Sequence, residues 1–317
     1  LSQVRQRYED RGRAMAASNE RQAMLPEGAS PIINPVGTAP GFSLELGDGT
    51  RLYCLPGVPH EMRRMWTEEV RPELCRLLSI TAPSRHLFRT IGRGESQLQD
   101  LLGHLPAAFP GVDLGFRTRM PENQVKLTAT ADCMAFEAAV ERCRELLGKD
   151  CFSEDSDLTL AGRVGQLLLQ RGERVAIAES CTGGWIAHLC VTEAGSSNWF
   201  ERGIVSYSNE SKIDLLGVTH ETLETHGAVS DPTALEMARG VALRSQAHWG
   251  LAVTGIAGPG GGSEDKPVGT VHVAVFGPAG ERSKRLFFPT GDRTMTRRFS
   301  AFVALDMLRR QVLRLSH

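Results

Sequence analysis

The chain has 317 residues, of which 41% are hydrophobic and 23% charged, proportions that exclude wholesale disorder. Lys and Arg number 36 against 37 Asp and Glu, so the net charge is −1, without the overall basic excess of proteins that grip nucleic acid along their surface. No apolar run reaches the roughly 18 residues that cross a bilayer. Leu1 opens the chain with no initiator Met and no signal-peptide pattern, and the expectation is a chain that starts downstream of its gene product's start. At roughly 150 residues per domain, the length allows two or three domains. The seven cysteines form no Cys-x-x-Cys pair and lie in apolar segments, which predicts reduced thiols in a cytoplasmic protein. No His/Cys cluster has zinc-ligand spacing.

Three blocks differ in texture. In the first, to about residue 80, a charged helix is predicted over Val4 to Ser18, followed by a loop with Pro26, Pro31, Pro35 and Pro40. A hairpin pairs Phe42–Leu46 with Arg51–Leu55 around the turn signal Gly47-Asp48-Gly49, and a helix runs from His60 to Leu78. This block reads as the second half of an α/β domain. In the second block, 83–152, a strand is predicted over His86–Ile91, a helix over Glu95–Leu105 and two strands over Val112–Thr130. A helix over Ala135–Leu147 follows, with Phe136, Ala139, Val140, Cys143 and Leu147 on one face. Ser153–Asp157 reads as a polar linker.

The third block, 158–317, alternates helices and strands as an α/β sandwich does. A helix over Leu158–Arg171 ends at Gly172, and Arg174–Ala178 is a short buried strand. A strand over Gly203–Ser208 follows, and Ser230-Asp231-Pro232 caps a helix reaching Ser245. Trp249–Thr254 is a third strand, Val268–Phe276 and Glu281–Phe288 an antiparallel pair. A last helix, Asp292–Arg314, buries Phe302, Leu305, Leu308 and Val312.

Four segments of the third block can carry chemistry. In Ala178-Glu179-Ser180-Cys181-Thr182-Gly183-Gly184 a strand ends, a hydroxyl follows and a Gly pair opens a helix. Backbone N–H groups at such a point attract developing oxyanions, so Ser180 is placed as a nucleophile, or Ser180 or Thr182 is a helix cap. Cys181 is a weaker nucleophile candidate, because His188 lies two helical turns on. In Val205–Lys212, a desolvated Lys212 or Tyr207 could serve Ser180 as base, or Lys212 is a solvated helix residue. Thr254–Ser263 contains five glycines at a strand end and can wrap a phosphate, or is a flexible loop. It is not a P-loop, and the Ser-x-x-Lys match at Ser263–Lys266 lies outside a helix start. Arg293, Arg297 and Arg298 sit in a first helical turn, where a substrate phosphate would offset them, or they form a solvated basic face.

These segments, in this order, with Gly227-Ala228-Val229-Ser230 and Lys266–Thr270, resemble the CinA family and its C-terminal PncC-type domain. The resemblance covers about 158–314 and implies hydrolytic deamidation of nicotinamide mononucleotide. Ser180 would attack, Lys212 and Tyr207 would move the proton, and the N–H groups of Thr182 to Gly184 would hold the oxyanion. Substrate contacts would come from Glu179, Thr182, Gly183, Gly184, Asn209, Thr254, Gly255, Gly258, Gly260 and Arg293. Upstream, Asn34–Gly41 and Leu55–Met62 resemble the end of the family's molybdopterin-binding-like domain, linked to ADP-ribose pyrophosphatase activity with a divalent metal. The Gly-rich loop and Asp pair that open that domain are absent from residues 1–80. Residues 83–152 resemble its KH-like middle domain, but Gly92-Arg93-Gly94 is one residue short of Gly-x-x-Gly, so RNA binding is not expected.

The expectation is thus an α/β protein of three parts: a partial molybdopterin-binding-like domain (1–80), a KH-like domain (83–152) and a deamidase sandwich (158–317). A small-molecule nucleotide is the expected partner, with no cofactor for deamidation, no membrane or nucleic acid, and a homodimeric assembly. The competing expectations are a metal-dependent pyrophosphatase in the first block and a non-catalytic competence or DNA-damage accessory protein.

Overall fold

The computed structural model describes the chain apart from residues 11, 13, 80, 290 and 317. It divides into two compact units, Leu1–Pro83 and Ser84–His317.

In the first unit, α1 (Ser2–Asp10) and a 3₁₀ turn (Ala17–Ala23) precede β1 (Ser30–Ile32), β2 (Gly41–Glu45) and β3 (Arg51–Cys54), an antiparallel sheet in that order. Then come α2 (Pro59–Met65), a π turn (Trp66–Val70) and α3 (Arg71–Leu77). The helix predicted over Val4–Ser18 stops at Asp10, with Gly12 at φ +62°; residues 11 and 13 of that span lie outside the described residues. The single helix predicted over His60–Leu78 opens into the π turn. Pro72 has no N–H for the Glu68 carbonyl, and the wider turn relieves the conflict. β1 was hidden by Pro31, which an edge strand tolerates. The two upstream motifs meet: Asn34 donates to Glu61 Oε2 at 2.8 Å and accepts from the Gly37 N–H at 2.8 Å.

The second unit begins with β4 (Ser84–Ile91), α4 (Glu95–Leu102), α5 (Leu105–Ala108), β5 (Val112–Arg119), β6 (Glu122–Ala129), α6 (Phe136–Leu147) and β7 (Cys151–Ser153). The strands form an antiparallel sheet in the order β5-β6-β4-β7. All five apolar residues expected on one face of α6 are buried against Phe88, Leu98 and Leu127. The helix expected over Glu95–Leu105 is broken at Gly103-His104, and part of the expected linker is β7, which pairs Ser153 with Arg89.

The remainder runs α7 (Leu160–Arg171), β8 (Val175–Glu179), α8 (Trp185–Val191), β9 (Phe200–Val205), α9 (Asn209–Leu216), α10 (His220–His226), α11 (Asp231–Ser245), β10 (Trp249–Gly255), β11 (Thr270–Phe276), β12 (Arg282–Phe287) and α12 (Arg293–Leu313). Its sheet has the order β12-β11-β10-β8-β9, with β8, β9 and β10 parallel and β11 and β12 antiparallel. The third-block strand lies at Phe200–Val205 rather than Gly203–Ser208. It is an edge strand with only partial burial, so no clean apolar pattern marks its ends. Phe302, expected in the buried stripe of α12, is only half-buried, whereas Leu305, Leu308 and Val312 are buried.

The two faces of this sheet differ in residue size. Val175, Ile177, Leu251 and Val253 face α7, α8 and α12, while Ala176, Ala178 and Ala252 face α11. Small residues bring α11 close: a Cβ on Gly250 would stand 1.9 Å from the Ala238 carbonyl oxygen, and one on Gly240 only 1.7 Å from that of Leu216. The connection from β8 through α8 to β9 lies on one face and that from β9 through α11 to β10 on the other. The change of direction therefore falls between the C-terminal ends of β8 and β10, the position where open α/β sheets bind ligands.

Gly240→Ala forces α9 and α11 apart. The clash is expected to cost about 1–3 kcal/mol, outweighing the roughly 1 kcal/mol of helix propensity that Ala adds. Thermal unfolding followed by circular dichroism should show a lower midpoint; an unchanged or raised midpoint would mean that the contact yields freely.

Candidate active site

Ser180 follows β8 directly. Its N–H donates to the Val253 carbonyl at 2.9 Å, which fixes it beside the end of β10. The chain then turns through Gly183 (φ +60°) and Gly184 (φ +91°), conformations that disfavour a side chain, and enters α8.

Lys212 lies in the first turns of α9, whose start Ser208 caps by accepting from the Ser211 N–H at 3.1 Å. The lysine is 1% exposed, and its Nζ lies 3.3 Å from Ser180 Oγ. It donates to the carbonyls of Ser206 at 2.9 Å, Tyr207 at 3.3 Å and Ser208 at 3.4 Å. Burial holds the ammonium below the ordinary lysine range. With two N–H groups on carbonyls, a neutral amine can turn its lone pair to Ser180. The reading of Lys212 as a solvated residue is thereby excluded.

Tyr207 is 65% exposed, and its hydroxyl accepts from Arg293 Nη2 at 3.4 Å. Tyr207 therefore stands at the rim, and Lys212 is the group beside the Ser180 hydroxyl. Cys181 is buried, and burial pushes its thiol up to about 12, leaving it protonated and a poor nucleophile.

Glu179 departs from the sequence reading. Its carboxylate is fully buried and accepts from the N–H groups of Gly184 (2.9 Å), Ile186 (3.2 Å) and Ala187 (2.8 Å). It caps α8 and has no face toward a substrate. The Gly184 N–H is thus occupied, and the Gly183 N–H donates to the Ser180 carbonyl at 3.2 Å. The oxyanion role expected of Thr182 to Gly184 cannot rest on these two groups. Among the described residues, the N–H groups of Cys181 and Thr182 have no backbone carbonyl partner.

The other expected contacts are dispersed around the crevice. Thr254 Oγ1 donates to the Ala228 carbonyl at 2.7 Å and ties the Gly227–Ser230 segment to the end of β10. A Cβ on Gly255 would press on Val271 at 2.7 Å, so this glycine serves strand packing. Gly258 (φ +89°) gives its carbonyl to Arg293 Nη1 at 2.7 Å. Gly260 and Asn209 are exposed. Arg297 donates to the Thr182 carbonyl at 2.8 Å and lies over the Trp185 ring. The argument that the first-turn arginines require a substrate anion weakens, because Asp292 caps α12 through the Thr294 and Met295 N–H groups.

Two features were not anticipated. The hydroxyls of Thr182 and Ser206 are buried and have no partner among the described residues. His272, opposite Thr254 in β11, pairs with Asp231 at 2.9 Å. The only sequence signal for the latter was Asp231 in the helix-capping Ser230-Asp231-Pro232. No three His, Cys, Asp or Glu side chains among the described residues gather as metal ligands.

Glu179→Gln replaces one of the two accepting oxygens by a donor that faces N–H groups. Unfolding in urea should show a loss of about 1.5–3 kcal/mol. A wild-type midpoint would show that the cap at α8 is dispensable.

Comparison with known proteins places this geometry. Residues 157–312 match the CinA C-terminal domain, and residues 2–76 match a probable molybdopterin binding domain. A CinA-like protein of Desulfosudis oleivorans is 42% identical over 315 residues, covering 96% of this chain and 75% of its own. One from Synechococcus elongatus is 41% identical over 332 residues, covering 100% and 76%. The solved structure of the competence/damage inducible protein CihA from Agrobacterium tumefaciens is 46% identical and covers 50% of this chain and 94% of its own, with a TM-score of 0.47. The chain belongs to the CinA family.

Proposed function

We propose that this protein hydrolyses the carboxamide of nicotinamide mononucleotide, giving nicotinate mononucleotide and ammonia. The observation that carries the reading is the buried Lys212 amine 3.3 Å from Ser180 Oγ at the crevice between β8 and β10. A hydroxyl becomes a nucleophile when a neutral base lies within reach, and a desolvated lysine is such a base.

Neutral Lys212 takes the Ser180 proton as Oγ bonds to the carboxamide carbon. The N–H groups of Cys181 and Thr182 receive the oxyanion. Lys212, now an ammonium, returns the proton to the amide nitrogen; the C–N bond breaks and ammonia leaves. Water attacks the acyl-enzyme, Lys212 accepts its proton, and the proton returns to Ser180 as the acid departs. Arg293, at the rim with Tyr207 and the Gly258 loop, takes the substrate phosphate.

Ammonia release from nicotinamide mononucleotide should fall by about 10³-fold or more in Ser180→Ala and in Lys212→Ala, and the double variant should be no worse than either. Addition of EDTA should leave the rate unchanged. Ammonia release by Ser180→Ala at the wild-type rate would sink the assignment, and an EDTA-sensitive hydrolysis of ADP-ribose instead would favour a pyrophosphatase.

The pH profile has a fixed sign. Burial lowers the Lys212 pKa, so the active amine accumulates as pH rises, beginning at lower pH than for an exposed lysine. kcat/KM should climb through that pKa and level off, whereas Lys212→Arg, always charged, should stay inactive. A rate that falls as pH rises over the same range would contradict a lysine base.

A further inference from the structure

A cavity of about 770 Å³ lies in the Ser84–His317 unit, where the β4–β7 sheet meets α7, α12 and β12. None of its lining residues belongs to the crevice around Ser180. Its walls hold seven Lys and Arg against two Asp, in a chain whose net charge is −1.

Both aspartates are already engaged. Asp306 Oδ1 accepts from Arg309 Nη2 at 2.7 Å and its Oδ2 from Arg310 Nε at 2.6 Å. Asp150 accepts from Arg310 Nη2 at 2.9 Å and from Arg93. Burial raises the Asp150 carboxyl, but these arginines outweigh it and hold it below the ordinary range, so it is charged and already matched. That leaves Lys149, Arg163, Arg282, Lys284 and Arg314, which pair with no carboxylate among the described residues. Arg163 and Arg314 donate only to neutral amides, those of Gln166 and Gln311.

An edge strand often carries cations to discourage pairing with another chain, and β12 is an edge strand. That account reaches Arg282 and Lys284 but not Arg163 on α7, Arg314 after α12, or Lys149 in the turn before β7. Five like charges from four separate segments around one hollow repel each other, less where solvent screens the exposed ones, and an anion would join them. Strand alternation also places Leu286 on the same face as Arg282 and Lys284, and Val303 and Leu313 of α12 line the hollow at points about 15 Å apart along that helix, so the hollow has apolar walls as well as a cationic rim. The size is that of a small-ligand site.

We propose that this cavity binds a nucleoside di- or triphosphate. The linked phosphates lie among Lys149, Arg163, Lys284 and Arg314, and the base lies against Leu286 and an apolar side chain of α12. A mononucleotide with one phosphate would leave most of the cations unmatched, and a bare polyphosphate would leave the apolar strip uncovered.

The test is calorimetric titration of the full chain with ATP, AMP, inorganic tripolyphosphate and a short oligothymidylate. Saturable binding of ATP is expected, tighter than that of AMP or of tripolyphosphate and weakening as salt rises. Arg163→Glu combined with Lys284→Glu should weaken ATP binding by at least about tenfold while the far-ultraviolet circular dichroism stays that of the wild type. Should that pair fail to fold, Arg282→Glu with Arg314→Glu, both exposed, is expected to give the same loss. The proposal is overturned if ATP does not bind saturably, or if the folded charge-reversal variants bind it unchanged. Tripolyphosphate binding as tightly as ATP, or oligothymidylate binding where ATP does not, overturns it as well.

Discussion

The candidate site depends on keeping an amine buried next to a hydroxyl. An unsolvated ammonium is costly, so Lys212 needs either partners or neutrality, and its surroundings supply some of each. Three consecutive carbonyls, from Ser206, Tyr207 and Ser208, converge on Nζ because the chain curls from the end of β9 into α9. Burial then tips the group toward the neutral form. Strand register sets where this happens. The Ser206 N–H donates to the Glu179 carbonyl at 2.8 Å, while the Ser180 N–H donates to that of Val253 at 2.9 Å. Ser180 and Lys212 are therefore aligned by backbone bonds between β8, β9 and β10 rather than by long side chains that must find one another.

The same constraint explains which of two adjacent nucleophiles is usable. Ser180 and Cys181 are neighbours, and thiols are the stronger nucleophiles when ionised. Burial, reinforced by the Glu179 charge, holds the Cys181 thiol at about 12. Glu179 is itself required, because three N–H groups at the start of α8 would otherwise be buried unpaired. Burial first, and the carboxylate that caps the helix in addition, thus disfavour a thiolate at Cys181, while the Ser180 hydroxyl keeps Lys212 beside it. The carboxylate also occupies the Gly184 N–H, which is therefore not free for a substrate oxygen.

Much of this was written in local pattern. β8 is apolar from Val175 to Ala178 and α7 ends at Gly172 in the left-handed conformation, so both were visible in the sequence. Ser230 caps α11 as its position before Asp-Pro implied. What stayed hidden needed three dimensions. β1 contains a proline, β7 is three residues long, and β9 is a half-exposed edge, so none has a strong period. Glu179 sat in a motif full of reactive groups, and nothing in its neighbours' identity says that its carboxylate turns back onto the following helix. Lys212 and Ser180 stood out as chemistry, but their separation by 32 positions hides a contact that only the parallel register of β8 and β9 creates.

The near-neutral charge has a different meaning once the charges are located. α12 has 21 residues, about 30 Å of helix. At one end Arg293 and Arg297 bind the carbonyls of Gly258 and Thr182 beside the catalytic turn. At the other, Arg309 and Arg310 bind the Lys149 carbonyl and Asp150 next to β7. Arginine suits both ends, since its planar fork can serve a carbonyl and a carboxylate at once, which an ammonium does less well. The acids that balance these arginines lie within reach: Asp292 caps the helix start and Asp306 sits one turn before Arg309 and Arg310. Where that local balance fails, around Arg163, Lys284 and Arg314, positive charge accumulates although the chain as a whole is neutral. Arg309 and Arg310 are thus matched by Asp306 and Asp150, while Arg163, Lys284 and Arg314 have no ion pair among the described residues, and these are the cations that the proposed anion would join.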